Sequence, residues 1–342
     1  MSFKPLHNMP SPEQLREECP VSCKLAARKL ERDRELAAVI QNQTNKFLVI
    51  VGPCSASNED AVCDYASRLS KVNQKLNQKL FIIPRIYTAK PRTNGYGYKG
   101  ILHYPETSTH SDLVKGLRAA RNLHLRVAGE SGLTTADELL YPEAFAYFQD
   151  IVSYLAIGAR SVEDQQHRFV SSGVDCPVGM KNPTNGNPDT LFYSIFAAQH
   201  GHKFIYRDRE VKSSGNPLAH AIIRGYENIM GEYVPNYQYE QLLKIGERYR
   251  EQKLKNPFII CDVNHANSGK DYSREPMIIY DVLESRRRSE EIRMIVRGVM
   301  IESFIEAGRQ EISGTVYGKS VTDGCLGWNE TEELLHYIAE HV

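Results

Sequence analysis

The sequence lacks both an excess of charge and any long apolar run. Lys and Arg together number 42, as do Asp and Glu, so the formal net charge is zero. A protein that binds nucleic acid or a membrane surface through charge needs a basic excess, which this chain does not have. No apolar stretch is long enough to span a bilayer, and the starting residues, MSFKPLHNMP, contain no apolar signal-peptide core. We therefore expect a cytoplasmic protein with no nucleic-acid partner and no membrane partner.

Paired cysteines are also missing. The seven cysteines are scattered, odd in number and without a C-x-x-C pair. This pattern argues against a disulfide framework and against a structural zinc site. The chain also lacks linkers, repeat arrays and low-complexity segments. Its 342 residues, 41% of them apolar, are enough for a substantial core.

Short apolar runs alternate with amphipathic stretches along most of the chain, which is typical of βαβ units and a parallel sheet. Eight runs favour a closed barrel over an open sheet, and they lie at 47–51, 80–83, 125–128, 154–157, 177–180, 203–206, 258–263 and 294–301. Before them, a helical pattern between Glu13 and Gln41 is split by Pro20, with Ser22 as a predicted N-cap. The expected α/β fold is a (β/α)8 TIM barrel at residues 45–342, preceded by an N-terminal arm and helices at residues 1–44.

Cations follow several of these runs, at positions where strands should end. The run 80–83 leads to Arg85, Lys90 and Arg92 on a loop stiffened by proline. Arg and Lys suit a phosphate, although a solvated basic turn is the alternative. In a barrel the C-terminal strand ends share one face, where six cations would meet: Arg85, Lys90, Arg92, Arg160, Lys181 and Arg224. Because six unpaired cations repel each other, the cluster favours two phosphorylated substrates, one of which also carries a carboxylate.

A second set of residues combines a thiol, an imidazole and two carboxylates. Its members are Cys54, His265, Glu302 and Asp323. Such a set could bind one divalent transition metal ion, although each residue alone is also common in a core or a loop. The mixed sulfur, nitrogen and oxygen ligands do not choose between Mn, Fe, Co and Zn.

The motifs that contain these residues resemble those of the type I (class I) 3-deoxy-D-arabino-heptulosonate 7-phosphate (DAHP) synthases. They are GPCS at 52–55, KPRT at 90–93, AGE at 128–130, GAR at 158–160, PVGMKN at 177–182, IRG at 223–225, HANS at 265–268, GVMIES at 298–303 and YGKSVTD at 317–323. Each motif alone is weak, but their combination, in the family's order, is specific. The resemblance implies the first enzyme of the shikimate pathway, which condenses phosphoenolpyruvate with erythrose 4-phosphate to DAHP and phosphate.

The resemblance also implies roles for individual residues. One divalent metal ion would be bound by Cys54, His265, Glu302 and Asp323. Phosphoenolpyruvate would be held by Arg85, Lys90, Arg160, Lys181 and Arg224, with Glu130 and Ala159 at the same site. Arg92 and Thr93 would bind the phosphate of erythrose 4-phosphate. In the implied mechanism the metal polarises the aldehyde, C3 of phosphoenolpyruvate attacks it, water adds at C2 and phosphate leaves, with catalytic roles for Lys90, Cys54 and His265.

Three departures from the family's pattern lie outside the catalytic motifs. The starting arm is shorter, residues 131–141 look like a small insertion, and the stretch 206–212 looks shortened. In the family that the chain resembles, the arm and a strand pair at the shortened stretch help to form the site for an inhibitory aromatic amino acid, so we expect weak or absent inhibition by phenylalanine or tyrosine. The resemblance also implies a homodimer or homotetramer. Two other functions stay open. One is the sister enzyme that joins phosphoenolpyruvate to arabinose 5-phosphate, giving 3-deoxy-manno-octulosonate 8-phosphate, and the other is an inactive sugar-phosphate-binding protein.

Overall fold

Eight parallel strands occupy the centre of the structure, a computed structural model that describes residues 2–93, 95–105 and 111–342. In chain order the strands are β1 (Phe47–Gly52), β2 (Leu80–Pro84), β3 (Thr135–Glu138), β4 (Val152–Ile157), β5 (Val178–Lys181), β6 (Ala219–Ile223), β7 (Ile259–Asp262) and β8 (Val296–Glu302). Every residue of these strands is buried. Burial on both faces is what a parallel sheet covered by helices requires.

The strand order confirms the predicted (β/α)8 barrel. The sheet runs β2-β1-β8-β7-β6-β5-β4-β3, so each strand lies beside its neighbours in the sequence and β8 lies beside β1. A parallel bridge between Arg85 and Ala136 joins the two ends of this sheet. It includes a hydrogen bond of 2.8 Å from the backbone nitrogen of Ile86 to the oxygen of Ala136. The C-terminal ends of all eight strands therefore meet at one mouth.

Helices surround the barrel and precede it. They are α1 (Pro12–Glu18), α2 (Cys23–Ile40), α3 (Glu59–Leu76), α4 (Leu113–Ser131), α5 (Phe145–Phe148), α6 (Gln165–Ser171), α7 (Pro188–Gln199), α8 (Tyr239–Glu251), α9 (Glu275–Arg288), α10 (Glu290–Ile295) and α11 (Trp328–His341). Ser22 is the N-cap of α2, as predicted, and its hydroxyl accepts a hydrogen bond from the backbone nitrogen of Leu25. Within the described residues, no helix is both long enough and apolar enough to cross a membrane.

Two of the eight predicted barrel strands are wrong. The run 125–128 lies inside α4, where Leu123, Val127 and Ala128 are buried on one side of the helix. A short apolar run does not by itself distinguish a buried helix from a strand. The run Lys203–Tyr206 is a strand, but it pairs with Arg209–Lys212 in an antiparallel hairpin outside the barrel.

The two barrel strands that replace them are β3 and β6. Strand β3 has the sequence Thr-Ala-Asp-Glu, which is too polar to be recognised as an apolar run, yet all four residues are buried. The segment 131–141, predicted to be an insertion, contains this strand. Strand β6 contains His220, a fully buried histidine whose Nε2 lies 2.9 Å from the hydroxyl of Tyr154.

Helix α2 closes the end of the barrel opposite the mouth formed by the C-terminal strand ends. Leu36, Val39 and Ile40 at its C-terminal end belong to one apolar cluster with inward-facing strand residues such as Leu48 and Ile260. This segment is also held by hydrogen bonds, since Nη1 of the Arg297 guanidinium donates to the backbone oxygen of Val39 at 3.1 Å. The N-terminal helices and the barrel thus share a core, while the division at residue 44 stays a prediction.

Candidate active site

The ends of β1 and β2 lie very close together at the mouth, where β1 ends in Gly52. A Cβ atom at Gly52 would lie 2.4 Å from the backbone oxygen of Arg85, so a side chain at position 52 would push β1 and β2 apart. The chain then turns to place Cys54, which is fully buried, beside Arg85. The GPCS segment therefore needs its glycine for the close approach of the two strands.

Three buried cations surround the ring of Tyr87. The guanidinium carbon of Arg85 lies 3.8 Å from the ring centroid, and the ammonium nitrogens of Lys90 and Lys181 each lie 5.7 Å from it. Tyr87 itself is fully buried. A cation within about 6 Å of a tyrosine ring centroid is attracted by the ring, so Tyr87 favours the convergence of these three side chains. The sequence prediction that these three cations converge is thus matched by their positions.

Arg85 is held by groups from the two strands next along the sheet, β1 and β8. Its Nη2 lies 2.5 Å from Oε1 of Glu302, and it also donates to the backbone oxygens of Pro53 and Cys54 at 3.2 and 3.3 Å. Burial alone would lower the pKa of Arg85, but Glu302 raises it above its usual value. The other terminal nitrogen, Nη1, is buried and has no hydrogen-bond partner among the described residues. This donor is available to an anionic ligand.

Lys181 is paired with a carboxylate that sequence reasoning did not single out. Its Nζ lies 3.0 Å from Oδ2 of Asp262, the last residue of β7. The same carboxylate oxygen lies 3.0 Å from Nδ1 of His265. Burial would raise the pKa of Asp262, but His265 and Lys181 lower it well below its usual range. Asp262 therefore stays ionised and orients both residues.

The predicted metal ligands come together, with His265 at the edge of the group. One ligand atom from each of Cys54, Glu302 and Asp323 lies within 4.8 Å of the others. Sγ of Cys54 lies 3.3 Å from Oδ2 of Asp323. Nε2 of His265 lies 3.8 Å from Oε1 of Glu302, while its Nδ1 faces Asp262. Because one nitrogen faces the carboxylates and the other is held by Asp262, His265 has the orientation of a metal-ligating histidine.

The electrostatics of this cluster fit a divalent cation. Burial and the charge of Glu302 raise the pKa of Cys54 to about 12. Burial would raise the pKa of Asp323, but Lys90 and His265 lower it to about 2, so its carboxylate is ionised. Two carboxylates this close repel each other, and a bound cation would offset that repulsion and stabilise the thiolate. The thiol, imidazole and carboxylate donors are a set that transition metals bind.

The remaining cations lie towards the outside of the mouth. Arg224 is buried, and its backbone nitrogen donates to Oδ1 of Asn182 at 2.8 Å. Burial lowers the pKa of Arg224, the Asp262 carboxylate opposes this effect, and the charge of the exposed Arg160 lowers the pKa further. Two neighbouring arginines with incomplete neutralisation are typical of an anion site.

The loop after Lys90 contains the predicted sugar-phosphate residues. Nε of Arg92 donates to the backbone oxygen of Tyr98 at 2.8 Å, and its charge contributes to the low pKa of Asp323. Thr93 is exposed, and Ala159, beside Arg160, is half-buried. Arg92 thus faces the same mouth as the carboxylates.

Glu130 does not lie at this mouth. It is exposed on α4, where its Oε1 accepts a hydrogen bond from Nε of Arg126 at 3.2 Å. Glu138, at the end of β3, occupies the strand-end position instead. A Cβ atom at Gly158 would lie 2.3 Å from Oε1 of Glu138, and the carboxylate acts on the pKa of Arg224 and of Tyr87. The sequence contained a signal for Glu138, because the Ala-x-Glu pattern at 128–130 recurs at 136–138.

Asn264 is a third residue, after Asp262 and Glu138, whose role was not predicted from the sequence. Its Nδ2 donates to Oε2 of Glu302 at 2.8 Å, and its Oδ1 accepts from the backbone nitrogen of His265 at 2.8 Å. It therefore fixes two of the predicted metal ligands at once. Its position one residue before His265 was the only sequence signal for this role.

Known proteins similar to this chain share one activity in their names. The family model described as "DAHP synthetase I family" matches residues 21–336. A Trp-sensitive phospho-2-dehydro-3-deoxyheptonate aldolase of Enterobacter agglomerans is 35% identical over 340 residues, covering 97% of this chain and 94% of the relative. A phospho-2-dehydro-3-deoxyheptonate aldolase of Corynebacterium glutamicum is 35% identical over 352 residues, with 98% and 92% covered.

A solved structure agrees with this similarity. The phospho-2-dehydro-3-deoxyheptonate aldolase of Francisella tularensis SCHU S4 superimposes with a TM-score of 0.92 at 32% sequence identity. The match covers 100% of this chain and 98% of that chain. The likeness thus extends over the whole barrel and the N-terminal helices.

Proposed function

The chain belongs to the DAHP synthetase I family, and from this premise we propose that it condenses phosphoenolpyruvate with erythrose 4-phosphate to DAHP and phosphate. The observation that carries the proposal is the convergence of Arg85, Lys90 and Lys181 on Tyr87, next to the cluster of Cys54, Glu302 and Asp323. Fixed cations beside a metal-binding set suit one anionic substrate held against a second, carbonyl-bearing one.

The cations would bind and orient phosphoenolpyruvate. Arg85 has a buried donor, Nη1, with no partner among the described residues, and Lys181 is held in place by Asp262. Arg224 and Arg160 add two guanidinium groups, which bind carboxylate or phosphate through paired donors. Arg92 and Thr93, on the neighbouring loop, would hold the phosphate of erythrose 4-phosphate. Substrates fixed in this way meet in a reactive orientation, which lowers the entropic barrier of a two-substrate reaction.

Cys54, His265, Glu302 and Asp323 would hold one divalent ion, which is Mn, Fe, Co or Zn on the chemistry of these donors. When bound, such an ion supplies Lewis-acid polarisation of a carbonyl oxygen. Asn264 and Asp262 would keep Glu302 and His265 in their ligating orientations.

Lys90 is the residue best placed to act on the reacting atoms. Its Nζ donates to the backbone oxygen of Cys54 at 2.9 Å. Burial would lower the pKa of Lys90, but the surrounding acidic groups, with Cys54 and Glu302 foremost, raise it above its usual value. The ammonium group therefore stays protonated, and it would hydrogen-bond the substrate oxygen on which negative charge develops as phosphate leaves.

The proposal is tested by a two-substrate assay on the purified protein. With phosphoenolpyruvate and erythrose 4-phosphate we expect DAHP and inorganic phosphate, and we expect a chelator to abolish turnover until a divalent ion is added back. Arabinose 5-phosphate in place of erythrose 4-phosphate should give no product. Full activity in a rigorously metal-free sample, or a preference for the five-carbon sugar, would overturn the proposal.

Regulation and assembly are the parts of the proposal that rest on sequence resemblance. We propose a homodimer or homotetramer that phenylalanine and tyrosine inhibit weakly or not at all. The first relative named above is called Trp-sensitive, so tryptophan belongs in the same assay. Inhibition by micromolar phenylalanine or tyrosine would contradict this part alone, and the mass of the particle in solution decides the subunit number.

A further inference from the structure

A buried carboxylate outside the mouth holds the loop that bears the cations. Asp137, in β3, is 5% exposed. Its Oδ1 accepts hydrogen bonds from the backbone nitrogens of Thr88 and Glu138 at 2.9 and 2.7 Å, and its Oδ2 accepts from the hydroxyl of Thr88 at 2.5 Å. A carboxylate buried among apolar groups is costly unless it is hydrogen-bonded, and here both oxygens are.

A histidine completes the environment of this carboxylate. His124, in α4, is fully buried, and its Nε2 lies 3.1 Å from Oδ2 of Asp137. Both oxygens of this carboxylate accept hydrogen bonds from Thr88, so Nε2 of His124 is assigned as a further donor to it. The other ring nitrogen, Nδ1, lies 2.9 Å from the hydroxyl of Thr135. Helix α4, strand β3 and the loop after β2 are thus tied together through one side chain.

Strand alternation separates Asp137 from the mouth. Ala136 belongs to the apolar cluster inside the barrel, so Asp137 faces the helical layer and Glu138 faces inward again. Asp137 cannot contact a substrate bound inside the barrel. It acts on two segments that do line the mouth, namely the loop with Arg85 and Lys90 and the end of β3 with Glu138.

Thr88 is fixed on its other side as well. Its backbone oxygen accepts a hydrogen bond from the nitrogen of Leu102 at 3.0 Å. A Cβ atom at Gly100, whose φ is +89°, would lie 2.2 Å from that oxygen, so the close approach requires glycine. The loop residue midway between Arg85 and Lys90 therefore has both backbone polar groups and its hydroxyl bonded.

We propose that Asp137, supported by His124 and acting through Thr88, is a positioning residue that sets where Lys90 and Arg85 lie in the mouth. The inference rests on the proposed function, because the ligand whose binding it controls is phosphoenolpyruvate. Asp137 does not itself contact the substrate in either of the two segments. It fixes the distance between them, and small displacements of positioned groups reduce turnover steeply.

The test replaces the Thr88 hydroxyl without changing the shape of the side chain. Thr88→Val keeps the β-branched shape and the backbone hydrogen bond but removes the donor to Oδ2 of Asp137, whereas Thr88→Ser keeps that donor. Ser172→Ala is the matched control, since Ser172 is a buried hydroxyl whose Oγ lies 2.6 Å from Oγ of Ser213, in another part of the helical layer. The wild type and the three variants are compared by melting temperature, by the dissociation constant for phosphoenolpyruvate from calorimetry, and by kcat and KM.

We expect Thr88→Val to lower kcat/KM for phosphoenolpyruvate by about tenfold and to weaken its binding, at unchanged metal content. For Thr88→Ser we expect kcat/KM for phosphoenolpyruvate within about threefold of the wild-type value. Ser172→Ala should lower the melting temperature without changing the kinetics. The inference is overturned if Thr88→Val binds and turns over as wild type does, or if Thr88→Ser loses as much as Thr88→Val. Wild-type protein with no turnover of the two substrates would instead overturn the proposed function.

Discussion

The two sides of the barrel mouth differ in how their charges are balanced. On the side of β8 and β1, the donor atoms of Cys54, Glu302 and Asp323 lie within 4.8 Å of one another. On the side of β5 and β7, Lys181 is already paired with Asp262. Arg85 already offsets part of the charge of Glu302, yet the three donor atoms stay close enough together for a cation from outside to stabilise them further, whereas the paired Lys181 is balanced before any ligand binds. We therefore expect the acidic side to respond to substitution in an all-or-none way, and the cationic side in a graded way.

The largest effect should follow Cys54→Ala. Removing the thiol takes one donor from a set of four and leaves the two carboxylates facing each other. We expect a loss of turnover of about 10³-fold, which is what several kcal/mol of lost electrophilic assistance would give. The check is kcat together with metal content by elemental analysis. If the variant keeps its metal and its turnover, the expected all-or-none response of the acidic side is wrong.

A smaller effect should follow Lys181→Met, which removes one cation and leaves the apolar stem. Phosphoenolpyruvate loses one of several cations, so we expect kcat/KM to fall by about 100-fold. The buried Asp262 also loses a partner, which should destabilise the protein by about 3 kcal/mol. Denaturant unfolding and steady-state kinetics measure the two effects separately.

The double variant Lys181→Met with Asp262→Asn sharpens this prediction. Neutralising the orphaned carboxylate should recover much of the lost stability, because no uncompensated buried charge remains. Activity should not recover, because the cation that binds the substrate is still missing and Asp262→Asn also removes the charged partner of His265. If activity returned with stability, Lys181 would be a structural residue and the graded response would have another cause.

A still smaller effect separates two glutamates that share the Ala-x-Glu pattern. Glu138→Gln should lower kcat by about tenfold, because Glu138 is buried at the mouth near Arg224. Glu130→Gln should change kcat less than about twofold, because Glu130 is an exposed partner of Arg126 on α4. The measurement is kcat of the two variants from steady-state kinetics, compared with that of the wild type. An equal loss in both variants would contradict the assignment of the rim position to β3.

These two glutamates also show how far the sequence could be read. Apolar runs located the strands β1, β2 and β5, which lead to Cys54, Arg85 and Lys181, because the residues before these strand ends are apolar. The polar strand β3 was not predicted, because its buried Asp137 and Thr135 depend on partners in α4 and in the loop after β2. Partners distant in the sequence leave no local pattern.

The sequence predicted the residues of the candidate site more completely than it predicted the positions of the strands. Charged and metal-ligating residue types at strand ends, together with family motifs, named residues that the fold brings to one mouth. The supporting residues could not be predicted in this way. Asp262 and Asn264 act by orienting His265 and Glu302, and an Asp or Asn near a strand end is common for reasons unrelated to function.

The smallest effect on activity, and a distinct effect on stability, concerns His220 in the barrel interior below the mouth. Its Nδ1 lies 2.8 Å from the backbone oxygen of Leu218, and its Nε2 lies 2.9 Å from the hydroxyl of Tyr154. Because a carbonyl only accepts, Nδ1 carries the proton and the neutral ring is fully bonded. Burial lowers the pKa of His220 to about 4.

The titration of His220 should lower the free energy of unfolding as the pH falls, independently of the residues at the mouth. As the pH falls below the unfolded-state pKa of 6.5, the unfolded chain binds a proton that the folded protein does not bind until about 4. The contribution is fully present above pH 6.5 and declines below it, by about 2 kcal/mol at about pH 5. His220→Gln removes the titrating group, so unfolding curves for the variant should lose this part of the pH slope while turnover at neutral pH stays within about twofold of wild type. An unchanged slope would mean that the acid sensitivity arises at the mouth, where the carboxylates lie, and not in the barrel interior.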